Sequence, residues 1–232
     1  MRVLFVSQEL PPETGWGGIG TYVDVLSEAL AATGVDVHVL SIVDRQPASA
    51  RRVGNVTVHR RPLPHIRGAH RPAPETWWRM WLALNVVRLV VRLRLNPDVI
   101  ECPEWMAEGL GLGLRGAFPL VVRLHSSARQ VFPFSGQGAQ LRGLDGRLAM
   151  WLEETSAVRA NVVVSTQSNL DEVSGRMDLE PAALHAIPIP LRLPPKIPIP
   201  DSSTRRITFV GRLEPRKAPD VPVRAAPQIL KR

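Results

Sequence analysis

Two stretches near the start of the chain decide the fold: Val3-Leu4-Phe5-Val6-Ser7 and Gly17-Gly18-Ile19-Gly20-Thr21-Tyr22-Val23. The first is a short, continuous apolar run, which is typical of a buried strand. The second places glycines directly before apolar residues at helical spacing, which predicts a turn and then an amphipathic helix. The chain therefore opens as strand, loop and helix.

The same alternation of apolar runs and helical patterns continues to about residue 187. Near-continuous Val, Ile and Leu strands are buried on both faces, which indicates a parallel sheet with helices on each side. We therefore predict one α/β, doubly wound, Rossmann-like domain over residues 1–187. Its further strands are predicted at 35–42, 56–60, 98–101, 120–124, 161–165 and 184–187. Its further helices are predicted from Glu75 or Thr76 to before Asn96, from about residue 108, at 148–159 and at 167–175. A glycine-rich loop is predicted at 126–146.

The composition changes sharply after this domain. Six prolines lie between Pro188 and Pro200 with almost no apolar periodicity, so residues 188–205 are predicted to be a stiff linker. Residues 206–232 are predicted to begin a second, incomplete domain. We expect a strand at 206–210, a turn at 211–217, and a helix from Asp220 with Pro222 in its first turn, kinked or ended by Pro227.

Composition and cysteine content exclude several classes of protein. The 232 residues are 44% hydrophobic and 22% charged, which are proportions of a globular protein. The single cysteine excludes an internal disulfide and a multi-cysteine zinc site, so we predict a cytoplasmic protein. The longest apolar-looking stretch, 77–95, is interrupted by four arginines and does not read as a membrane-spanning helix.

The net charge of +8 is concentrated in one segment. Arg45–Arg94 holds eleven arginines and only one acid, Glu75. Aromatic residues that could stack on bases are scarce, so no nucleic-acid partner is predicted. An anionic partner and a solvated basic face both remain open for this segment. The Trp-rich set within it is predicted to pack in the core, with peripheral contact to an anionic membrane as the alternative: Trp77, Trp78, Met80, Trp81 and Leu84.

Three places carry residues suited to ligand binding. Gly17-Gly18 precedes a helix N-terminus, where free N–H groups favour an anion, although a tight turn is the simpler reading. His125 follows a buried strand directly, at the sheet edge where open α/β folds bind ligands, although a structural histidine is common there. Arg212 and Lys217 lie five apart on one turn, where they could clasp a diphosphate or be merely solvated.

A fourth candidate is a cluster of carboxylates after the strand at 98–101. Glu101, Glu104 and Glu108 could bind sugar hydroxyls or act as a base, and a solvated loop is the competing interpretation. We take Glu104 as a candidate acceptor-binding residue, together with Ser126, which follows His125.

The motifs together resemble a known family. The opening strand, Pro11-Pro12 and the turn at 17–23 resemble the start of retaining glycosyltransferases of the GT-B fold, in particular the family-four group. The segment Ile207–Lys217 is similar to the strand and loop that open the second, donor-binding domain of that family. The resemblance covers essentially the whole chain but only about half of a full enzyme of that kind.

The resemblance implies transfer of a hexose from a nucleotide-diphosphate sugar to the hydroxyl of a sugar or lipid-linked acceptor, with retention and without a metal or other cofactor. It implies that His125 faces the cleft as a catalytic residue, and that Gly17, Gly18, Arg212 and Lys217 bind the donor. The carboxylates that the family carries later in its second domain have no counterpart here, so we predict that the chain alone is inactive. A peripheral location on the inner membrane face is compatible with the basic segment.

Two other classes of function remain open. The first is a non-catalytic α/β module that binds a nucleotide sugar. The second is a dinucleotide-binding oxidoreductase domain, against which the absence of a G-x-G-x-x-G turn and the acid-free end of the second strand, Ser41-Ile42-Val43, both count.

Overall fold

The computed structural model describes residues 1–11, 14, 17–43, 46–63, 73–134, 143–180, 183–193, 207–211, 213 and 217–229. Its centre is an eight-stranded sheet, which confirms the predicted α/β class. The strands are β1 (Arg2–Ser7), β2 (Asp36–Val43), β3 (Ser49–Val53), β4 (Val56–Pro62), β5 (Val99–Pro103), β6 (Leu120–Arg123), β7 (Val162–Ser165) and β8 (Leu184–Ala186).

The strand order is β3-β4-β2-β1-β5-β6-β7-β8, and every pair is parallel except β3 with β4. The antiparallel edge strand β3 was not predicted. Its sequence is Ser-Ala-Arg-Arg-Val, and most of it is exposed. It lacks the apolar run from which the other strands were predicted. It pairs through Gly54, whose positive φ of 58° closes the hairpin to β4.

The helices are α1 (Gly18–Ala32), α2 (Pro74–Leu93), α3 (Leu110–Arg115), α4 (Ala128–Val131), α5 (Leu144–Val158), α6 (Gln167–Ser174) and α7 (Asp220–Ile229). Helix α2 begins with Pro74 at its first position, where the missing N–H costs nothing. Asp145, in the first turn of α5, accepts hydrogen bonds from the N–H groups of Glu75 and Thr76. One carboxylate therefore caps α2 from the neighbouring helix. Arg94 adopts a left-handed conformation and ends α2 ahead of Pro97, as predicted.

Alternate residues of the central strands pack into two separate hydrophobic cores, one on each face of the sheet. Leu4 and Val6 of β1 pack with Leu82 and Val86 of α2 on one face of the sheet. On the other face, Phe5 joins the core beneath α1. Burial on both faces is the property from which a parallel sheet was predicted.

Three local predictions are wrong. The predicted loop at 126–146 contains α4 and a 3-10 turn at 132–134, and α5 begins at Leu144 rather than near Leu148. Of the predicted strand at 206–210, residue 206 lies outside the described residues and residues 207–210 form no strand. Val210 is 89% exposed, because none of the described strands pairs with this segment and covers it. Helix α7 continues past Pro227 to Ile229, and none of its described residues is buried.

The Trp-rich set of α2 is not a core face. Met80 and Leu84 are exposed, and Trp77, Trp78 and Trp81 are only partly buried. The buried side of α2 instead carries Arg79, Leu82, Ala83, Asn85, Val86, Leu89 and Val90. Within the described ranges no helix is both long and apolar enough to cross a membrane.

Candidate functional site

The strand order places a topological switch point between β1 and β5. From β1 the chain proceeds outward to β2 on one side, and from β4 it crosses back to β5 on the other. Connections that leave neighbouring strands in opposite directions open a crevice at the carboxyl ends of those strands, which is where open α/β sheets bind ligands. The turn after β1, the turn after β5 and the loop after β6 all lie at this edge.

His125 lies at this edge in a cluster with Tyr22 of α1. The two rings meet edge to face with centroids 4.9 Å apart. The Tyr22 hydroxyl donates a 2.6 Å hydrogen bond to Oε1 of Glu101 in the middle of β5. Burial, and then the nearby Arg123, lower the pKa of His125 to about 4. At neutral pH the imidazole is therefore uncharged, and it can donate from one ring nitrogen and accept at the other.

Arg123 anchors this cluster from below. Its guanidinium is 4.8 Å from the Tyr22 ring centroid, a cation–π contact, and its Nη2 donates a 2.7 Å hydrogen bond to the carbonyl of Ile187. The residue is only 2% exposed, and its Nε has no partner among the described residues. Sequence reasoning missed both Arg123 and Tyr22, since an arginine closing a strand and a tyrosine on an amphipathic helix carry no distinctive signal.

Glu104 lies in the interior rather than in a solvated loop, so that interpretation is wrong. Its side chain is 2% exposed, and both of its carboxylate oxygens lie 2.8 Å from the backbone nitrogen of His125. The backbone of Ser126 also interacts favourably with the ionised carboxylate. Burial raises the pKa of Glu104 to about 8 despite these bonds. The structure thus brings Glu104, His125 and Ser126 together.

The other two buried glutamates hold neighbouring loops. Glu108 accepts hydrogen bonds at Oε1 from the backbone and side-chain nitrogens of Gln8, in the turn after β1. Glu153 of α5 accepts from the backbone N–H of Met106, after β5, and of Ala128, after β6. Each of the three loops at the candidate edge is therefore tied to a carboxylate beneath it.

Glu153 is also half of a buried ion pair. Arg79 of α2 donates to its Oε1 from Nε and Nη2 at 3.0 and 2.8 Å, and both side chains are at most 1% exposed. A second bond joins Arg79 to Glu75 one turn earlier in α2. This pair is the point at which α2, α5 and the two loops meet.

The glycine turn lies at the same edge, with an anionic group already beside it. The carboxylate of Glu9 accepts a 3.3 Å hydrogen bond from the N–H of Gly20, in the first turn of α1. A Cβ built on Gly17 would lie 2.0 Å from Oε2 of Glu9, whereas one on Gly18 meets nothing within 4 Å. The absence of a side chain at Gly17 is what lets Glu9 reach the helix terminus.

The second segment carries two predicted donor-phosphate residues, Arg212 and Lys217. Arg212 lies outside the described residues. Lys217 is exposed, and no hydrogen bond or ion pair of the described residues joins it to His125 or to Gly17 and Gly18. Likewise, within the described ranges no three His, Cys, Asp or Glu side chains are grouped so as to hold a metal ion.

Solved structures with a similar fold are GT-B glycosyltransferases. A sucrose-phosphate synthase from Thermosynechococcus elongatus superposes with a TM-score of 0.56 at 19% identity, over 81% of this chain and 47% of the other. An E. coli trehalose-6-phosphate protein bound with UDP-2-fluoro glucose gives a TM-score of 0.51 at 16% identity, over 83% and 49%. Together with the switch-point edge, these likenesses define the class as an α/β protein of the GT-B type.

The chain belongs to the glycosyl transferase 4-like domain family, which it matches over residues 17–190. It is 26% identical to a D-inositol 3-phosphate glycosyltransferase from Acidothermus cellulolyticus, over 96% of this chain and 52% of that protein. It is also 26% identical to a glycogen synthase from Mycobacterium tuberculosis, over 99% and 58%. The chain thus spans about half the length of the curated relatives it matches.

Proposed function

We propose that this chain is the acceptor-side half of a retaining glycosyltransferase. The complete protein would transfer a hexose from a nucleotide-diphosphate sugar to the hydroxyl of a sugar or lipid-linked acceptor. The observation that carries the proposal is the position of His125 at the switch-point edge, where its neutral imidazole meets the Tyr22 ring and its backbone N–H donates to Glu104. Family membership supports glycosyl transfer as the reaction.

The roles of the residues follow from their chemistry. A neutral imidazole can donate to one sugar hydroxyl and accept from another, which orients a substrate in the cleft. Ser126 adds a hydroxyl on the same loop. Arg212 and Lys217 are proposed to stabilise the charge that develops on the departing diphosphate, an electrostatic role that needs no metal. The domain limits that accompany this proposal are 1–187, 188–205 and 206–232.

A chimera tests the proposal. The donor-binding half of the Acidothermus relative would be fused after the linker of this chain, and release of nucleoside diphosphate would be followed for a panel of nucleotide sugars and acceptors. We expect acceptor-dependent release that falls at least a hundredfold in His125→Ala and little in the control Glu172→Gln, on exposed α6. A folded chimera that binds donor but releases no diphosphate with any acceptor would overturn the proposal.

Titration calorimetry on the chain itself separates the two alternatives. A non-catalytic module would bind one of the nucleotide sugars at micromolar concentration. In that case no longer form of the protein would convert the bound nucleotide sugar to product. A dinucleotide-binding oxidoreductase domain would instead bind NAD or NADP. Our proposal predicts no binding of NAD or NADP.

A specific surface supports peripheral contact with an anionic membrane as a second property. The outward side of α2 exposes Met80 at 54% and Leu84 at 46%, and that of α5 exposes Trp151 at 57%. Exposed arginines accompany them, among them Arg88 and Arg147. Apolar side chains beside arginine match the headgroup boundary of an anionic bilayer. Of the basic segment Arg45–Arg94, residues 45 and 64–72 lie outside the described residues.

Co-sedimentation with vesicles tests this second property. Vesicles of phosphatidylcholine with 30% phosphatidylglycerol should retain the chain, while pure phosphatidylcholine should not. Trp151→Ser should reduce retention severalfold, whereas Ile229→Ser on α7 should leave it unchanged. Equal retention by both vesicle types, or by neither, would rule out anionic-membrane contact by this surface.

A further inference from the structure

We propose that Glu104 is a positioning residue: its carboxylate holds the main chain at His125 and Ser126 and thereby sets where the His125 imidazole stands. The link to substrate rests on the function proposed above. The link between Glu104 and the His125 loop rests on the geometry alone.

Glu104 is tied to the end of β6 through both its backbone and its side chain. Its N–H donates a 3.1 Å hydrogen bond to the carbonyl of Arg123, and its two carboxylate oxygens accept from the N–H of His125 at 2.8 Å. The turn after β5 and the loop after β6 are thus joined at the residue that carries the imidazole. A displacement of this carboxylate necessarily displaces the His125 backbone.

The groups facing Glu104 come from several elements. Glu153 of α5 is a like charge and opposes ionisation of Glu104. The guanidinium of Arg79, on α2, is bonded to Glu153 and Glu75 rather than to Glu104. From β6 and the loop after it come Arg123, whose carbonyl is bonded, and His125, which is uncharged at neutral pH. Backbone N–H groups are therefore the main stabilisers of the Glu104 anion.

This arrangement makes the loop geometry depend on the ionisation of one side chain. An ionised carboxylate has only acceptors, which suits the N–H groups of His125 and Ser126. A protonated carboxyl carries a donor on one oxygen, and a donor opposite an N–H group is repelled. Because burial brings the pKa of Glu104 to about 8, this change falls in an experimentally accessible range of pH.

Burial raises the pKa of Glu108 to about 8 as well, so the difference between Glu104 and the other two buried glutamates of the described residues lies in the groups to which they are bonded. Glu108 is bonded to Gln8, and Glu153 to Met106 and Ala128, none of which is a candidate for substrate contact. Among the glutamates that the structure describes, Glu104 alone is bonded to the backbone of the residue that we place in the substrate cleft. The positioning role is therefore assigned to Glu104 and not to buried carboxylates in general.

Nuclear magnetic resonance of the whole chain tests the proposal without an activity assay. The backbone amide of His125 would be followed from pH 5.5 to 9.5 in isotope-labelled protein, together with the Cε1–H of its ring. We expect the amide proton to shift with a midpoint near pH 8, and the ring proton to report the same midpoint, although the ring itself titrates near pH 4. A His125 amide that is flat over this range would overturn the proposal.

Variants sharpen the test. Glu104→Gln should abolish the titration seen at the His125 amide, because the amide side chain does not ionise. Glu108→Gln, which removes the other buried carboxyl with a pKa of about 8, should preserve it. If Glu104→Gln does not fold, persistence of the His125 titration in Glu108→Gln would support the proposal and its loss there would contradict it. An unchanged midpoint in folded Glu104→Gln would assign the titration to another group and contradict the proposal.

The outcome is independent of the chimera experiment. If the His125 amide titrates but the chimera transfers no sugar, the positioning role of Glu104 stands and the proposed function is wrong. In an active chimera assayed at pH 9, where Glu104 is mostly ionised, Glu104→Gln should lower the rate of diphosphate release at least tenfold while the affinity for the donor changes less than threefold. A lowered donor affinity at an unchanged rate would contradict positioning of His125.

Discussion

His125 illustrates how burial decides what a single side chain can do. At the end of β6 it is surrounded by Tyr22, Arg123 and the backbone bonds to Glu104, and it loses its charge because a buried cation beside a guanidinium is costly. In the function we propose, its part in the cleft is that of a neutral hydrogen-bonding group. Positive charge beside the departing diphosphate would then come from other residues, for which Arg212 and Lys217 are our candidates.

The lowered pKa of His125 predicts a pH dependence of stability. His125 takes up a proton near pH 6.5 in the unfolded chain but only near pH 4 in the folded chain. The contribution of His125 to the free energy of unfolding is therefore fully present above pH 6.5 and is lost as the pH falls towards 4. We expect His125→Asn to weaken this loss. Urea denaturation at pH 7.5 and pH 5, compared with wild type, measures the effect, and an identical pH dependence in both proteins would contradict it.

Gly17 and Gly18 form a matched pair at the same edge. In Gly17→Ala the new Cβ must displace the Glu9 carboxylate, so we expect a loss of about 1 kcal/mol, typical of a lost helix N-cap. Gly18→Ala has open space and should be neutral or stabilising by about 0.5 kcal/mol. Urea denaturation of both variants would measure the difference. Equal stability of the two variants would show that Glu9 does not support the helix terminus.

At this scale the sequence predicted where the candidate residue His125 lies in the fold but not what surrounds it. His125 was predicted correctly to lie at a strand end, because a polar residue after an apolar run marks the sheet edge. The burial of Glu104 was not predictable, because it depends on α5 and α2 packing over the turn after β5. The approach of Glu9 to Gly17 was missed for the same reason: residues of two different elements meet only in the folded chain.

The elements α2 and α5 meet through the buried pair of Arg79 and Glu153. Removing one member of such a pair leaves an unpaired buried charge, which costs about 3–5 kcal/mol. Glu153 also holds the loops at Met106 and Ala128, so its loss would loosen both. This junction is therefore the main support of the candidate edge from the helical layer.

We predict that Glu153→Gln lowers the free energy of unfolding by about 3 kcal/mol or more. The neighbouring pair of Arg129 and Glu154 is partly exposed, so Glu154→Gln should cost less than about 1 kcal/mol. Urea denaturation at one pH would compare the two. A loss below about 1 kcal/mol in Glu153→Gln would contradict the role given to the buried pair.

At the scale of the elements, apolar runs predicted the strands correctly where these lie in the middle of the sheet. The exposed edge strand β3 has no such run, and its pairing depends on the hairpin at Gly54. The opposite error occurred at 207–210, where an apolar run forms no strand and pairs with none of the eight described strands. Pairing partners, unlike periodicity, are not encoded in a local stretch.

On the scale of the whole molecule, family membership supports the reaction that we propose, and the coverage of the relatives shows how much of their length the chain spans. The chain matches the family over residues 17–190 and spans about half the length of its relatives. The candidate edge described above comes from residues 8–128, with α5 behind it.

The most direct test is therefore an assay of the 232-residue chain alone, incubated with nucleotide-diphosphate sugars and acceptors while nucleoside diphosphate is quantified by mass spectrometry. The account predicts no release above the uncatalysed background. Sustained release that is abolished by His125→Ala would contradict it, because the chain would then contain a complete catalytic site.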